Sequence, residues 1–170
     1  RDPQLVPDAS EIFASLCDRC AEHGLRVALE FIPPSNIPDA DTATRIITEA
    51  GRANGGFCVD SWHHFRGARD DEMLRRLPAS QVVVIQLDDG TRVPSNDDYF
   101  YDTGHNRMIP GTGEFDLPAF LRTMTEIGVR APISVEVFSD ELQQLPCVDV
   151  AVQLAAATRA LLPFPNETVG

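Results

Sequence analysis

Gln81-Val82-Val83-Val84-Ile85-Gln86-Leu87 is the most apolar run of the chain, and its β-branched residues mark it as a buried strand. Working toward the amino terminus, Asp70 to Leu77 reads as a short helix and Gly56-Phe57-Cys58-Val59-Asp60 as a second strand. Before that, Asp41 to about Ala53 has helical character. Leu25-Arg26-Val27-Ala28-Leu29-Glu30-Phe31 is a strand ended by Pro33 and Pro34, which cannot continue a ladder. From Asp8 to about His23 the residues Ile12, Phe13, Leu16, Cys17 and Cys20 recur at three- and four-residue spacing, and Gly24 supplies a stop. Working toward the carboxyl terminus, a long polar loop from Thr91 to Met108 leads to a helix over Leu117 to Ile127. A strand over Ile133 to Val137 and a closing helix over Val148 to Leu162 follow.

The order is one helix, then strand and helix four times over. Such alternation predicts parallel strands joined by right-handed crossovers. An open doubly wound sheet would carry a Gly-rich phosphate turn after an early strand, and no GxGxxG or Walker pattern is present. A barrel instead places its chemistry at the carboxyl ends of several strands. Glu30, Asp60, Gln86 and Glu136 each stand at or near the end of a separate strand. Burying such groups is costly unless they are paired or bind a cation. A (β/α)8 TIM barrel needs eight strands and typically about 250 residues. Four strands therefore predict an α/β chain that supplies half a barrel, organised as a single domain over residues 1–170.

Composition narrows the partners. With 170 residues, 43% of them hydrophobic, the chain can bury the core of one domain. Its formal charge of −12 opposes every phosphate contact, which argues against nucleic acid. No run approaches the roughly 18–20 apolar residues of a membrane span, so a cytoplasmic protein acting on a small molecule is expected. Cys17, Cys20, Cys58 and Cys147 lack a completing Cys or His pair for a zinc pattern and read as small buried thiols. Asn166-Glu167-Thr168 matches a glycosylation acceptor, a pattern short enough to recur by chance.

Three carboxylates and one amide oxygen converging on a barrel mouth make an oxygen-rich site with a formal ligand charge of −3. Such a set suits Mn²⁺ or Mg²⁺, with Co²⁺ or Zn²⁺ as further options.

On these residues the chain resembles the xylose isomerase-like barrel superfamily of sugar phosphate isomerases and epimerases. The likeness is carried by Val27-Ala28-Leu29-Glu30, Val59-Asp60-Ser61-Trp62-His63, Val84-Ile85-Gln86-Leu87-Asp88-Asp89, Pro110-Gly111-Thr112-Gly113-Glu114-Phe115-Asp116 and Ser134-Val135-Glu136. The resemblance implies that the chain is the carboxyl-terminal half of the barrel, four βα units long. It implies a divalent metal held by Glu30, Asp60, Gln86 and Glu136, with Glu30 and Glu136 exchanging protons with substrate. His63, three residues past Asp60, would hydrogen-bond a substrate oxygen. Arg66, Arg92 and Arg107 would be substrate handles, Arg107 being carried in by closure of the Thr91–Met108 loop as a lid. Asp88 and Asp89 would cap a helix or orient a site residue.

The implied activity is isomerisation or epimerisation of a keto sugar or related polyol through a metal-held enediolate. Gln86 stands where most members have histidine, which resembles the dehydratase branches, such as the 3-dehydroshikimate and inosose dehydratases. A lyase is therefore the alternative. A non-catalytic metal- or sugar-binding remnant is a third reading, and an apurinic-site endonuclease, which needs more histidine and a positive face, ranks last. A half barrel exposes two strand edges and an apolar inner face, which either another copy, in a homo-oligomer, or a preceding half of the barrel would cover.

Overall fold

Aspartate side chains start most of the helices. In the computed structural model, which describes residues 8–162, Asp39 accepts from Thr42 N at 2.7 Å and opens α2 (Ala40–Ala50). Asp60, Asp70, Asp98 and Asp116 do the same for α3 (Ser61–Arg66), α4 (Asp71–Arg75), α5 (Tyr99–His105) and α6 (Leu117–Glu126). Each cap satisfies backbone N–H groups that have no partner inside the helix. α1 (Ala9–Ala21) precedes them and α7 (Cys147–Leu161) closes the described chain. α2 stops at Ala50 rather than near Ala53, because Gly51 adopts φ 62° and ends the helix in the left-handed conformation.

The strands β1 (Val27–Glu30), β2 (Gly55–Asp60), β3 (Val82–Leu87) and β4 (Ile133–Val135) form one parallel sheet in the order β1-β2-β3-β4. Sequential order with every crossover spanned by helical segments is the arc of a (β/α)8 barrel. The outer face carries Phe57, Val59, Ile85 and Leu87, all buried against Ile46, Ile47, Leu74, Leu117 and Phe120. Each such side chain contributes about 1.5–3 kcal/mol. The inner face, with Ala28, Val84 and Ser134, is outside that cluster, and Ser134 is exposed.

Some side chains stand elsewhere than their sequence pattern suggests. Phe13 and Cys17 of α1 are buried, but Ile12 and Leu16 are 61% and 46% exposed. α1 precedes the edge strand β1, so that side of it has no neighbouring helix to pack on. Cys17 and Cys58 are buried thiols, whereas Cys20 is half-buried and Cys147, at the first turn of α7, is exposed. The Thr91–Met108 segment is not a plain loop. α5 lies inside it, and an antiparallel bridge between Asp89 and Met108 ties its two ends together. Asn166-Glu167-Thr168 lies outside the described residues.

Candidate metal centre

Register puts the polar strand ends on one face. Glu30 pairs with Cys58, Asp60 with Gln86, and Gln86 with Ser134. Side chains alternate along a strand, so Glu30, Cys58, Asp60, Gln86 and Glu136 all point to the inner side of the arc. Glu136 lies one residue past β4, yet its N–H still donates to Leu87 O at 3.3 Å and keeps the ladder's alternation.

The side chains form one connected cluster. Asp60 is fully buried; Oδ1 accepts from Trp62 N at 2.7 Å, and Oδ2 from Arg107 Nη1 at 3.0 Å. Arg107 Nη1 also donates to Asp88 Oδ2 at 2.6 Å and to Glu136 Oε2 at 3.2 Å. Gln86 Nε2 donates to Glu136 Oε1 at 2.9 Å, while its Oε1 accepts from Cys58 Sγ at 2.8 Å. His63 Nε2 stands 3.1 Å from Glu30 Oε1 and 3.6 Å from Asp60 Oδ2. Despite the first distance, Glu30 Oε1 is buried without a properly directed hydrogen bond.

Three carboxylates, from Asp60, Asp88 and Glu136, face the guanidinium of Arg107, while Glu30 faces His63. Burial, followed by the charge of Asp60, pushes the Asp88 carboxyl well above its ordinary range, while Arg107 opposes the rise. Burial also raises Glu136, again against Arg107. The Cys58 thiol is driven up by burial and then by Glu30, Asp60 and Glu136, so it stays neutral and donates. Burial alone would lower Arg107, but Asp60, Asp88 and Glu136 together outweigh it and raise it.

This donor set fits a cation. Ligand atoms of Glu30, Asp60 and His63 lie within 4.8 Å of one another, and a buried carboxylate oxygen without a hydrogen-bond partner is an atom that a metal would satisfy.

The predicted substrate handles divide. His63 is buried at the cluster. Arg107 is there too, but no closure brings it in: its side chain is 1% exposed and already lies between Asp60 and Glu136. Arg66 is elsewhere. Its Nε donates to Asp102 and its Nη1 to Thr91 O, and the guanidinium lies 4.4 Å from the Trp62 ring centroid, so it fastens the 91–105 segment to α3. Arg92 is exposed, and its backbone N–H donates to Glu114 Oε2. No recorded contact takes the side chain of either arginine to the four strand-end residues.

The sequence reading leaves Cys58 and Tyr99 out of the site, whereas it offers Asp88 and Asp89 as residues that cap a helix or orient a site residue. Cys58 was detectable as the residue two before Asp60, on the same face by strand alternation. Asp88 orients Arg107 and accepts from Ser61 Oγ at 2.8 Å. Asp89 holds the Pro110–Phe115 turn by accepting from the backbone N–H groups of Gly90, Gly111, Gly113 and Phe115. Gly111 has φ 84°, and a Cβ on Gly113 would collide with Asp89, so both positions require glycine. Tyr99, on α5, hydrogen-bonds His63 Nδ1, a contact invisible to local pattern.

The model of the family described as xylose isomerase-like TIM barrel matches residues 4–161. The chain belongs to that family. Among the barrel's members, inosose isomerase from Bacillus subtilis (strain 168) is 29% identical over 157 residues, 91% of this chain and 55% of the relative. The 3-dehydroshikimate dehydratase of Pseudomonas aeruginosa PAO1 is 30% identical over 168 residues, 98% of this chain but 25% of the longer relative. A crystal structure of the IOLI protein with a bound zinc atom superposes with a TM-score of 0.81 at 26% identity. That superposition covers 90% of this chain and 54% of that one. The chain thus spans about half the length of the inosose isomerases it matches, and its four-stranded arc is part of a xylose isomerase-like barrel.

Proposed function

We propose that the intact protein is a divalent-metal-dependent isomerase or epimerase of a keto sugar or an inosose-like polyol. The observation that carries this reading is the convergence of Glu30, Asp60, Gln86 and Glu136, from the ends of four strands, on one face and into one polar cluster with His63 and Arg107. Similarity to inosose isomerases supports the substrate class.

Glu30, Asp60, Gln86 and Glu136 would hold the metal; the oxygen-rich set favours Mn²⁺ or Mg²⁺, although the related IOLI protein carries zinc. When bound, the ion supplies Lewis acidity to a substrate carbonyl and its neighbouring hydroxyl. His63 and Arg107 donate hydrogen bonds to substrate oxygens and neutralise charge that builds up as an enediolate forms. Glu30 and Glu136, on opposite margins of the cluster, take a proton from the substrate carbon and return one to it. Arg66 and Arg92 have no part in this assignment.

The intact protein loaded with Mn²⁺ should incorporate solvent deuterium into an inosose or keto-hexose. Glu30→Gln and Glu136→Gln should each lower kcat about 10²–10⁴-fold while leaving the circular-dichroism spectrum unchanged. If both variants kept wild-type exchange rates, the proton-transfer roles would be wrong.

A dehydratase is the second reading, favoured by Gln86 and by the similarity to 3-dehydroshikimate dehydratase. The same carboxylates would then remove a proton next to the carbonyl while a β-hydroxyl leaves as water. A new ultraviolet absorbance, from an aromatic product of dehydroshikimate or a conjugated enone from an inosose, would decide for it, and deuterium uptake without that absorbance would decide against it.

A further inference from the structure

His63 has two ring nitrogens with different neighbours. Nε2 faces Glu30 and Asp60, whereas Nδ1 faces the phenol of Tyr99, whose ring lies nearly parallel to the imidazole at 6.1 Å between centroids and 22° between planes. Which nitrogen carries the hydrogen decides what the residue can do at the centre. With hydrogen on Nε2 it donates to a substrate oxygen, and with Nε2 bare it is a metal ligand. Geometry alone permits the second role, because Glu30, Asp60 and His63 lie close enough to share an ion.

The groups at the other ring nitrogen fix the direction of the hydrogen bond between Tyr99 and His63. Nε2 stands 3.1 Å from Glu30 Oε1 and 3.6 Å from Asp60 Oδ2, and carboxylate oxygens accept but do not donate, so a neutral imidazole keeps its hydrogen on that side. Nδ1 is then an acceptor, and the phenol is the group that gives it a hydrogen. Thr103, one turn further along α5, accepts from Trp62 Nε1 at 2.8 Å, since an indole can only donate, and so ties this stretch of the helix to α3.

We propose that Tyr99 is a positioning residue: its hydroxyl donates to His63 Nδ1 and so keeps the imidazole hydrogen on Nε2, making His63 a donor to substrate and not a ligand of the metal. The inference rests on the proposed function only for the identity of the acceptor. It adds a specificity element from α5, a helix outside the strand ends that supply the other site residues. The contact of Nε2 with Glu30 Oε1, close but misdirected, agrees with a hydrogen aimed at neither carboxylate but at a third atom. It also leaves the metal set as the four strand-end residues, without His63.

The test is the tautomer itself. Intact protein labelled with ¹⁵N-histidine, free of metal and substrate, is examined by two-bond ¹H–¹⁵N correlation. His63 should show the Nε2–H pattern in the wild type. Tyr99→Phe should shift it toward a mixture containing Nδ1–H, with kcat/KM falling roughly 3–10-fold, the effect of one hydrogen bond, mostly in kcat. A merely structural tyrosine would change the melting temperature and leave the tautomer alone. If Tyr99→Phe does not fold, the wild-type tautomer carries the test by itself. Nδ1–H in the wild type, or an unchanged tautomer in the folded variant, would overturn the proposal. Because the spectrum needs no substrate, a protein inactive on every polyol tried would sink the proposed function and leave this inference standing.

Discussion

At the scale of single residues, the site is organised by charge compensation. Arg107 is the counter-ion of a buried acidic group, and its pairing with Asp60 spans 47 positions of sequence. Removing one partner of a buried ion pair leaves the others unpaired, which costs about 3–5 kcal/mol. Arg107→Ala should therefore lower the unfolding free energy of the metal-free intact protein by about that amount, as measured by urea titration. Added Mn²⁺ should stabilise the variant more than the wild type, since the ion would replace the missing charge. A loss under about 1 kcal/mol, or equal stabilisation by metal, would show that Arg107 is not the compensating group. The sequence made Glu30, Asp60, Gln86 and Glu136 legible, because a polar residue ending an apolar strand is anomalous within a few positions. The partners of Arg66 and Arg107 were not legible, since which carboxylate each arginine meets depends on tertiary contacts that no local spacing encodes.

The same distinction appears at the scale of elements. Long segments with clear periodicity, such as α2 and α6, were legible, although their caps, Asp39 and Asp116, emerge only from the structure. α3, at six residues, and α5, at seven, are too short to display an apolar period, and they were hidden inside polar stretches. Both are nonetheless what hold His63, Tyr99 and Thr103 in place. α3 also carries His64, whose side chain is 1% exposed between Phe65 and Phe120. Burial lowers its pKa below the ordinary 6.5, although Asp71 opposes the shift. Between those two values the unfolded chain binds a proton that the folded chain refuses. The stability from neutral His64 is present in full above about pH 6.5 and is lost as pH falls through the lower, folded value. The urea midpoint should drop between pH 7.5 and pH 5, and His64→Gln should flatten part of that slope. An identical slope in the variant would mean that other groups account for it.

At the scale of the whole molecule, the arc leaves matching apolar surfaces on both of its flanks. β1 and β4 are edge strands, each with unpaired backbone groups on one side. Next to β1, α1 exposes Ile12 and Leu16, and following β4, α7 exposes Val148 and Val152 at 68% and 64%. Between them the inner face presents Ala28, Val84 and Ser134, where a closed barrel would have packed layers. Scattered exposed apolar residues are ordinary, but here they fall on the two helices that flank the ends of the sheet, where the next units of a closed barrel would pack. A polypeptide limited to these 170 residues is therefore expected to associate with itself at micromolar concentration. Sedimentation should give a mass above the 18.7 kDa of one chain. Glu substitutions at Ile12 and Leu16, or at Val148 and Val152, should move that mass toward one chain with no change in helical content, because these positions contribute little to the core described. A wild-type polypeptide that sediments as a single chain and binds no apolar dye would show that the flanks are tolerated in water, and that the arc needs no partner to cover them.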